Sequence, residues 1–140
     1  MSKTGVDTPH DSAVKHVTGR ATYTDDIAEP IGTLHAYLGC SKVAHGTIKS
    51  LDLSAVLAAE GVVGVLTADD IKGVNDVSAV HAHDEPVFPT KTVEFYGQPL
   101  FAVVAETRDQ ARRAAELAVA DITPLPHALA PREAMEAGYP

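Results

Sequence analysis

Residues 94–122, EFYGQPLFAVVAETRDQARRAAELAVADI, constrain this chain more than any other stretch. An aromatic pair, a Gly-Gln turn, an apolar run and an Ala-rich segment follow one another without a break. Leu100 to Ala105 is apolar at every position, the pattern of a short strand covered on both faces rather than one with a wet side. Thr107 and Gln110 then stand at capping-box spacing. The Thr hydroxyl can accept the third helical N–H while the Gln side chain reaches back to the Thr N–H. Ala111, Ala114, Ala115 and Ala118 recur at helical spacing and are small enough to let a helix axis lie close to a sheet, with Arg112, Arg113 and Glu116 left for water. Nothing in this stretch forms an evident constellation of nucleophile, base or metal ligand.

At 140 residues the chain is expected to bury somewhat over ~65% of its unfolded surface, enough for one self-sufficient core. Residues 1–12 are polar, are interrupted by Gly5 and Pro9, and carry no periodic apolar face, so they read as a flexible lead-in to a single domain over residues 13–140. A formal net charge of -8, with Lys and Arg scattered, opposes phosphate backbones and anionic lipid, which need a concentrated positive surface. Neither nucleic acid nor membrane is an expected partner. Cys40 is the only cysteine, so an intrachain disulfide is impossible and a Cys-based zinc site lacks ligands. No apolar leader, twin-arginine pair or window near the ~20 apolar residues that span a bilayer occurs, and a cytoplasmic location is expected.

Leu34, Ala36, Leu38 and Cys40 alternate with His35, Tyr37, Gly39 and Ser41, a half-buried strand with the first set inward. A second strand over Thr47–Leu53 follows a short break, and the two are expected to pair as an antiparallel hairpin. Ser54 can cap a short helix through Ala59, with Gly61 in the left-handed position past its end. Val62–Leu66 reads as a strand, Thr67 with Asp69 and Asp70 as a helical turn, and 73–84 as an irregular loop. Val119–Thr123 looks like a return strand, PLPHALAP an extended passage, and Pro131 the start of a last helix that stops at Gly138. Strand, strand, helix, strand, loop, strand, helix, strand, helix is a mixed α/β order, α+β in class. Neither a dinucleotide fingerprint nor a phosphate-binding P-loop is present, which disfavours a parallel doubly wound sheet.

Three groups invite a chemical reading. His81 and His83, with Asp84 and Glu85, share a face if extended and can offer a hard or borderline metal site, but a solvated loop is the simpler account and no metal is assigned. Cys40 near His35 and His45 suggests a thiol with a base; alternation puts His35 on the opposite face, so Cys40 is expected to pack as a small apolar group. Asp25, Asp26 and Glu29 can be a carboxylate pair, yet adjacent residues rarely aim at one centre, and charged turn residues before Pro30 and Gly32 suffice.

Taken together, HVTGRATYTDDI (16–27), GTLHAYLGCSKVAHGTIKSLDLS (32–54), GVVGVLTADDIKGVND (61–76), HDEPVF (83–88), YGQPLFAVVAET (96–107) and ARRAAELAVADITPLP (111–126) resemble, in order, the N-terminal domain of the molybdenum-binding subunit of the xanthine dehydrogenase and aldehyde oxidase family. The resemblance implies an alpha/beta hammerhead, an α+β fold of mixed sheet and packed helices. It implies a whole enzyme that hydroxylates a carbon of a purine or aldehyde with oxygen from water at a molybdenum-pyranopterin centre, with electrons leaving through iron-sulfur clusters and FAD. Xanthine dehydrogenase is favoured, and Met1 ahead of PHDSAVKHVTG suits an arrangement in which the molybdenum subunit is a separate polypeptide. The family's cofactor-holding segments and glutamate base belong to later domains. No catalytic, cofactor-binding or metal residue is therefore carried over, and the isolated chain is expected to be inactive. Thr18, Gly19, Asp25, Asp26, Gly97 and Gln98 are expected to be turn and packing positions, facing the remaining domains of the subunit or the FAD and iron-sulfur partners. The competing expectation is a free-standing small-molecule binding module, although no lysine sits in a biotin- or lipoyl-type hairpin.

Overall fold

The computed structural model describes residues 10–80 and 82–139, which divide into two units, residues 10–33 and residues 34–139. The first unit holds helix α1 (Ala13–Val17), which the sequence did not announce, and a single 3-10 turn at Thr24–Asp26. No residue of α1 is buried.

The second unit runs β1 (His35–Cys40), β2 (Gly46–Asp52), α2 (Ser54–Leu57), β3 (Val62–Leu66), a 3-10 turn (Ala68–Asp70), β4 (Thr92–Val93), β5 (Pro99–Ala105), α3 (Arg108–Ala115), β6 (Val119–Pro124) and α4 (Pro131–Ala137). Two antiparallel sheets result, ordered β1-β5-β3 and β4-β2-β6. Helices and antiparallel sheets make the class α+β, as the order of elements implied.

The expected β1–β2 hairpin does not form, because the two strands belong to different sheets. The deciding strand is β5. Its unbroken apolar run needs a strand on each side, and it takes β1 and β3 as neighbours, leaving β2 to pair with β6 and β4. Alternation encodes a buried face but not the identity of the partner.

The inward face of β1 is also the opposite of the one expected. Gly39 and Ser41 are buried, whereas Leu38 is half exposed and Cys40 exposed. Register explains this. Gly39 stands opposite Phe101, and a Cβ on Gly39 would overlap the Phe101 ring. The phenyl thus occupies space that only glycine leaves free, and this puts Tyr37 and Gly39 on the side of Phe101 and Val103. Leu38 and Leu66 both pair with Ala102 and fall on the other face, each 48% exposed. Cys40 is therefore an accessible thiol rather than a packed one.

Core residues Val56, Val93, Leu100, Phe101, Val103 and Ala114 gather α2, β4, β5 and α3 into one cluster. Five of the seven β5 residues are buried, in keeping with its all-apolar sequence. Ala111 and Ala114 of α3 are buried while Arg112, Arg113 and Glu116 face water, and Asp109 bridges to Arg112 (3.0 Å) and Arg113 (2.7 Å). Thr107 caps α3 by accepting the Gln110 N–H at 3.2 Å. The return arm differs from the ideal box: the Gln110 Oε1 accepts the Thr107 hydroxyl at 2.8 Å, and its amide lies against Gly61, which has φ 76°. At α2 the N-cap position is Leu53, which offers no side-chain cap, and Ser54 is the first helical residue, its N–H donating to Asp52 Oδ1 at 2.9 Å; the helix ends at Leu57, short of Ala59. Hydrogen bonding from the Ser54 backbone, then from its side chain, holds the Asp52 carboxyl below its ordinary pKa. Pro131 opens α4 and Gly138, φ 72°, closes it.

Residues 73–88 are less irregular than their composition suggests. Asn75 closes the segment on Phe88 twice, its Nδ2 donating to the Phe88 carbonyl at 2.8 Å and its Oδ1 accepting the Phe88 N–H at 3.1 Å. Among the described residues no helix is long and apolar enough to cross a membrane.

Candidate functional site

The Gly97–Gln98 turn ties β5 to the end of β1. Gly97, φ 86°, donates its N–H to the Ser41 carbonyl at 2.9 Å, and the Gln98 carbonyl accepts the Ser41 N–H at 2.9 Å. Positive φ selects glycine at this point. Gln98 is only 4% exposed, and its Oε1 accepts the Glu94 N–H at 2.8 Å, so the amide closes the turn from within. Ser41, 3% exposed, both donates to the Val43 carbonyl at 2.8 Å and accepts the Val43 N–H at 3.0 Å. Among the described residues no buried side-chain nitrogen or oxygen lacks a partner, which is what permits the burial of Ser41 and Gln98. Sequence reading singled out Gly97 and Gln98 but passed over Ser41. The available signal was a small hydroxyl residue just past the alternating run of β1.

Beside this knot lies a cavity of about 470 Å³, walled by the end of β1, the turn, the C-terminal end of α3 and β6. Cys40, Lys42, Tyr96 and Glu116 bring functional groups to it. Lys42 Nζ is held 3.7 Å from Glu116 Oε2. A second groove of about 330 Å³ shares Tyr96 and is walled by residues 44–45, 94–96, 126–129 and Tyr139.

The other singled-out residues lie apart from the knot in sequence and serve local turns. In the first unit the Thr18 hydroxyl donates to the Val14 carbonyl at 2.6 Å, and Gly19, φ 68°, ends α1. Asp26 Oδ2 accepts the Tyr23 N–H at 2.9 Å and closes the 3-10 turn that also contains Asp25. Tyr23 Oη and His16 Nδ1 are 2.8 Å apart. Thr67 and Asp70 repeat the arrangement in the second unit, Asp70 Oδ2 accepting the Thr67 N–H at 2.8 Å.

Of the metal candidates, His81 lies outside the described residues. His83 adopts φ 55° and bonds Asp76 through Nδ1. Asp76 also accepts the Ser78 hydroxyl and N–H through Oδ1, and the Ser78 oxygen in turn accepts the Asp84 and Glu85 N–H groups at 3.0 Å each. The bonds from Ser78, then that from His83, bring the Asp76 carboxyl down to about 2. Among the described residues no group of three His, Cys, Asp or Glu side chains converges as a metal site would require. The Cys40 thiol donates to the Leu38 carbonyl at 3.7 Å, and His45 Nδ1 lies 2.9 Å from the Pro126 carbonyl.

A family model described as aldehyde oxidase and xanthine dehydrogenase, a/b hammerhead domain, matches residues 18–126. The chain belongs to this family. The hammerhead is 45% identical over 117 residues to xanthine dehydrogenase of Dictyostelium discoideum, covering 84% of this chain and 8% of that protein. It is 43% identical over 107 residues to aldehyde oxidase 2 of Mus musculus, covering 76% of this chain and 8% of that one. The crystal structure of the aldehyde oxidoreductase from Desulfovibrio desulfuricans superposes with a TM-score of 0.82 at 34% identity, over 94% of this chain and 16% of the other. The hammerhead thus spans less than a tenth of the length of these curated relatives, and the Gly97–Gln98 knot falls inside the family match.

Proposed function

We propose that this hammerhead is a structural domain of a molybdenum hydroxylase subunit, with xanthine dehydrogenase the favoured enzyme: oxidative hydroxylation of hypoxanthine and xanthine with oxygen from water. The observation that carries the reading is the family match over residues 18–126. The purine assignment leans on the 45% identity to a xanthine dehydrogenase; aldehyde oxidase 2, at 43%, keeps an aldehyde or another heteroaromatic substrate as the competing choice. In this reading the molybdenum-pyranopterin is held by the remaining domains of the subunit, and FAD and iron-sulfur clusters by partner domains or subunits, in the cytoplasm.

In this reading the pyranopterin is not held by the side chains of this chain. Among the described residues no three metal-donor side chains converge, and Lys42, the cation on the 470 Å³ cavity, already faces Glu116. No step of the reaction is therefore assigned to these side chains. Their part is to brace neighbouring domains, with Thr18, Gly19, Asp25, Asp26, Gly97 and Gln98 fixing the turns that shape the surface.

Sequencing the gene past codon 140 tests this directly: the frame is expected to continue for several hundred residues, and the purified 140-residue chain is expected to turn over no xanthine. A stop codon at that point, or turnover by the short chain, overturns the proposal. The cavity of about 470 Å³ favours one rival, a free-standing small-molecule binding module, because it lies within the size range of ligand pockets. A ligand screen by thermal shift separates the two, since a bound ligand raises apparent stability.

A further inference from the structure

Four large apolar side chains from separate parts of the second unit converge on the 330 Å³ groove and remain open to solvent there: Phe95 (54% exposed), Tyr96 (69%), Leu129 (77%) and Tyr139 (43%). Solvent-facing rings scattered singly need no explanation, but three aromatics and a leucine around one depression form the kind of patch that marks a recognition surface. The walls are fixed. Gln98 holds the Glu94–Gly97 turn from beneath, the Leu125 N–H donates to the His45 carbonyl at 2.9 Å, His45 Nδ1 meets the Pro126 carbonyl, and Glu133 Oε2 accepts the Leu129 N–H at 3.2 Å. A partner therefore meets side chains whose backbone is already ordered, which lowers the entropic cost of docking. The charge near the rings is slight, a Glu94 carboxylate 4.0 Å from His45 Nε2.

We infer that this groove is the seat on which another segment of the same subunit's polypeptide packs, an apolar segment outside these 140 residues. The inference rests on the reading that the hammerhead works inside a longer subunit. Area decides between this occupant and a second copy of the chain. Four partly exposed side chains of this size offer on the order of 400 Å², well short of the roughly 800 Å² per partner of a stable association between separate molecules. That area is adequate for an interface within one chain, where contacts of ~600–1,500 Å² in total are usual and the covalent link supplies a high effective concentration. The hammerhead also makes up only 8% and 16% of two of the chains it matches, so most of the polypeptide in such proteins is available to cover it.

Hydroxyl-radical footprinting of the full-length subunit beside the 140-residue chain tests the seat. Labelling of Phe95, Tyr96, Leu129 and Tyr139 is expected to fall roughly tenfold in the subunit, as for rings that pass from half exposed into the dry centre of an interface. Equal labelling in both overturns the inference and leaves the domain assignment standing. Protection already present in the short chain, with a dimer by light scattering, overturns it in favour of a second copy. A gene that stops at codon 140 removes the domain assignment and this inference together.

Discussion

Strand β5 with its neighbours, and the loop over residues 73–88, are held by opposite means. In the first, stability comes from apolar burial: Phe101 and Val103 are sealed between α3 and flanking strands, and Gly39 exists to leave room for a ring. In the second, Phe88 is the one buried side chain among the described residues, and the shape depends on polar side chains that satisfy backbone groups, Asn75 on Phe88 and Asp76 with Ser78 around His83. The contrast separates two kinds of failure. The core should respond to volume and be indifferent to acid, while the loop should respond to the loss of single hydrogen bonds and to protonation.

The largest effect is expected from Phe101→Ala, about 3–5 kcal/mol of lost stability by chemical denaturation, as for other large-to-small changes of buried aromatics. A cost below about 1 kcal/mol would mean that the ring is not where the β1–β5 register puts it. Gly39→Ala comes next at about 1–3 kcal/mol, since the added methyl meets the same ring. If Phe101→Ala is introduced with it, the two costs should add to less than their sum, because the truncated side chain frees the space; strict additivity would break the assigned pairing.

Asn75→Ala should cost about 1–2 kcal/mol, and hydrogen exchange should quicken within residues 73–88 while β5 stays protected. Thr107→Ala, at the cap of α3, is expected to cost about 1 kcal/mol, a change confined to the core side of the comparison. The smallest effect is the pH dependence of the loop. Asp76 is lowered from its ordinary 3.8 to about 2 in the folded chain, so its stabilising contribution is complete above 3.8 and is lost as pH falls through about 2. The protection factors of amides in residues 73–88 should therefore fall as pH drops between those values, and Asp76→Asn should abolish the dependence. An acid response that survives in the variant would assign it to another carboxylate.

Legibility followed the same division. The all-apolar run of β5, the alanine face and Thr107 cap of α3, and the Pro131 and Gly138 ends of α4 could be read directly, because period and capping are local properties. Even there one detail was tertiary: Gln110 accepts the Thr107 hydroxyl, with its amide laid against Gly61 from another element. The site was legible only at Gly97 and Gln98. Ser41, which closes the knot, carries only a slight local mark, a hydroxyl just past the alternating run of β1, because the Gly97 N–H and the Gln98 carbonyl that its backbone meets are 56 and 57 positions away. The polar loop hid its order for a similar reason, as Asn75 and Phe88 are 13 residues apart.

What the amino-acid sequence determined by itself was most of the second unit's elements, though neither α1 nor β4, together with their class and, through six ordered blocks, the family. These depend on interactions within a few residues of one another or on patterns that persist along the chain. What only the tertiary structure decided was which strands pair and which face of β1 turns inward. Alternation allows either face to be buried with the same period, and the choice was made by a ring on β5 that fits only over a glycine. With that choice Cys40 and Leu38 turned outward, and the thiol expected in the core became accessible to solvent.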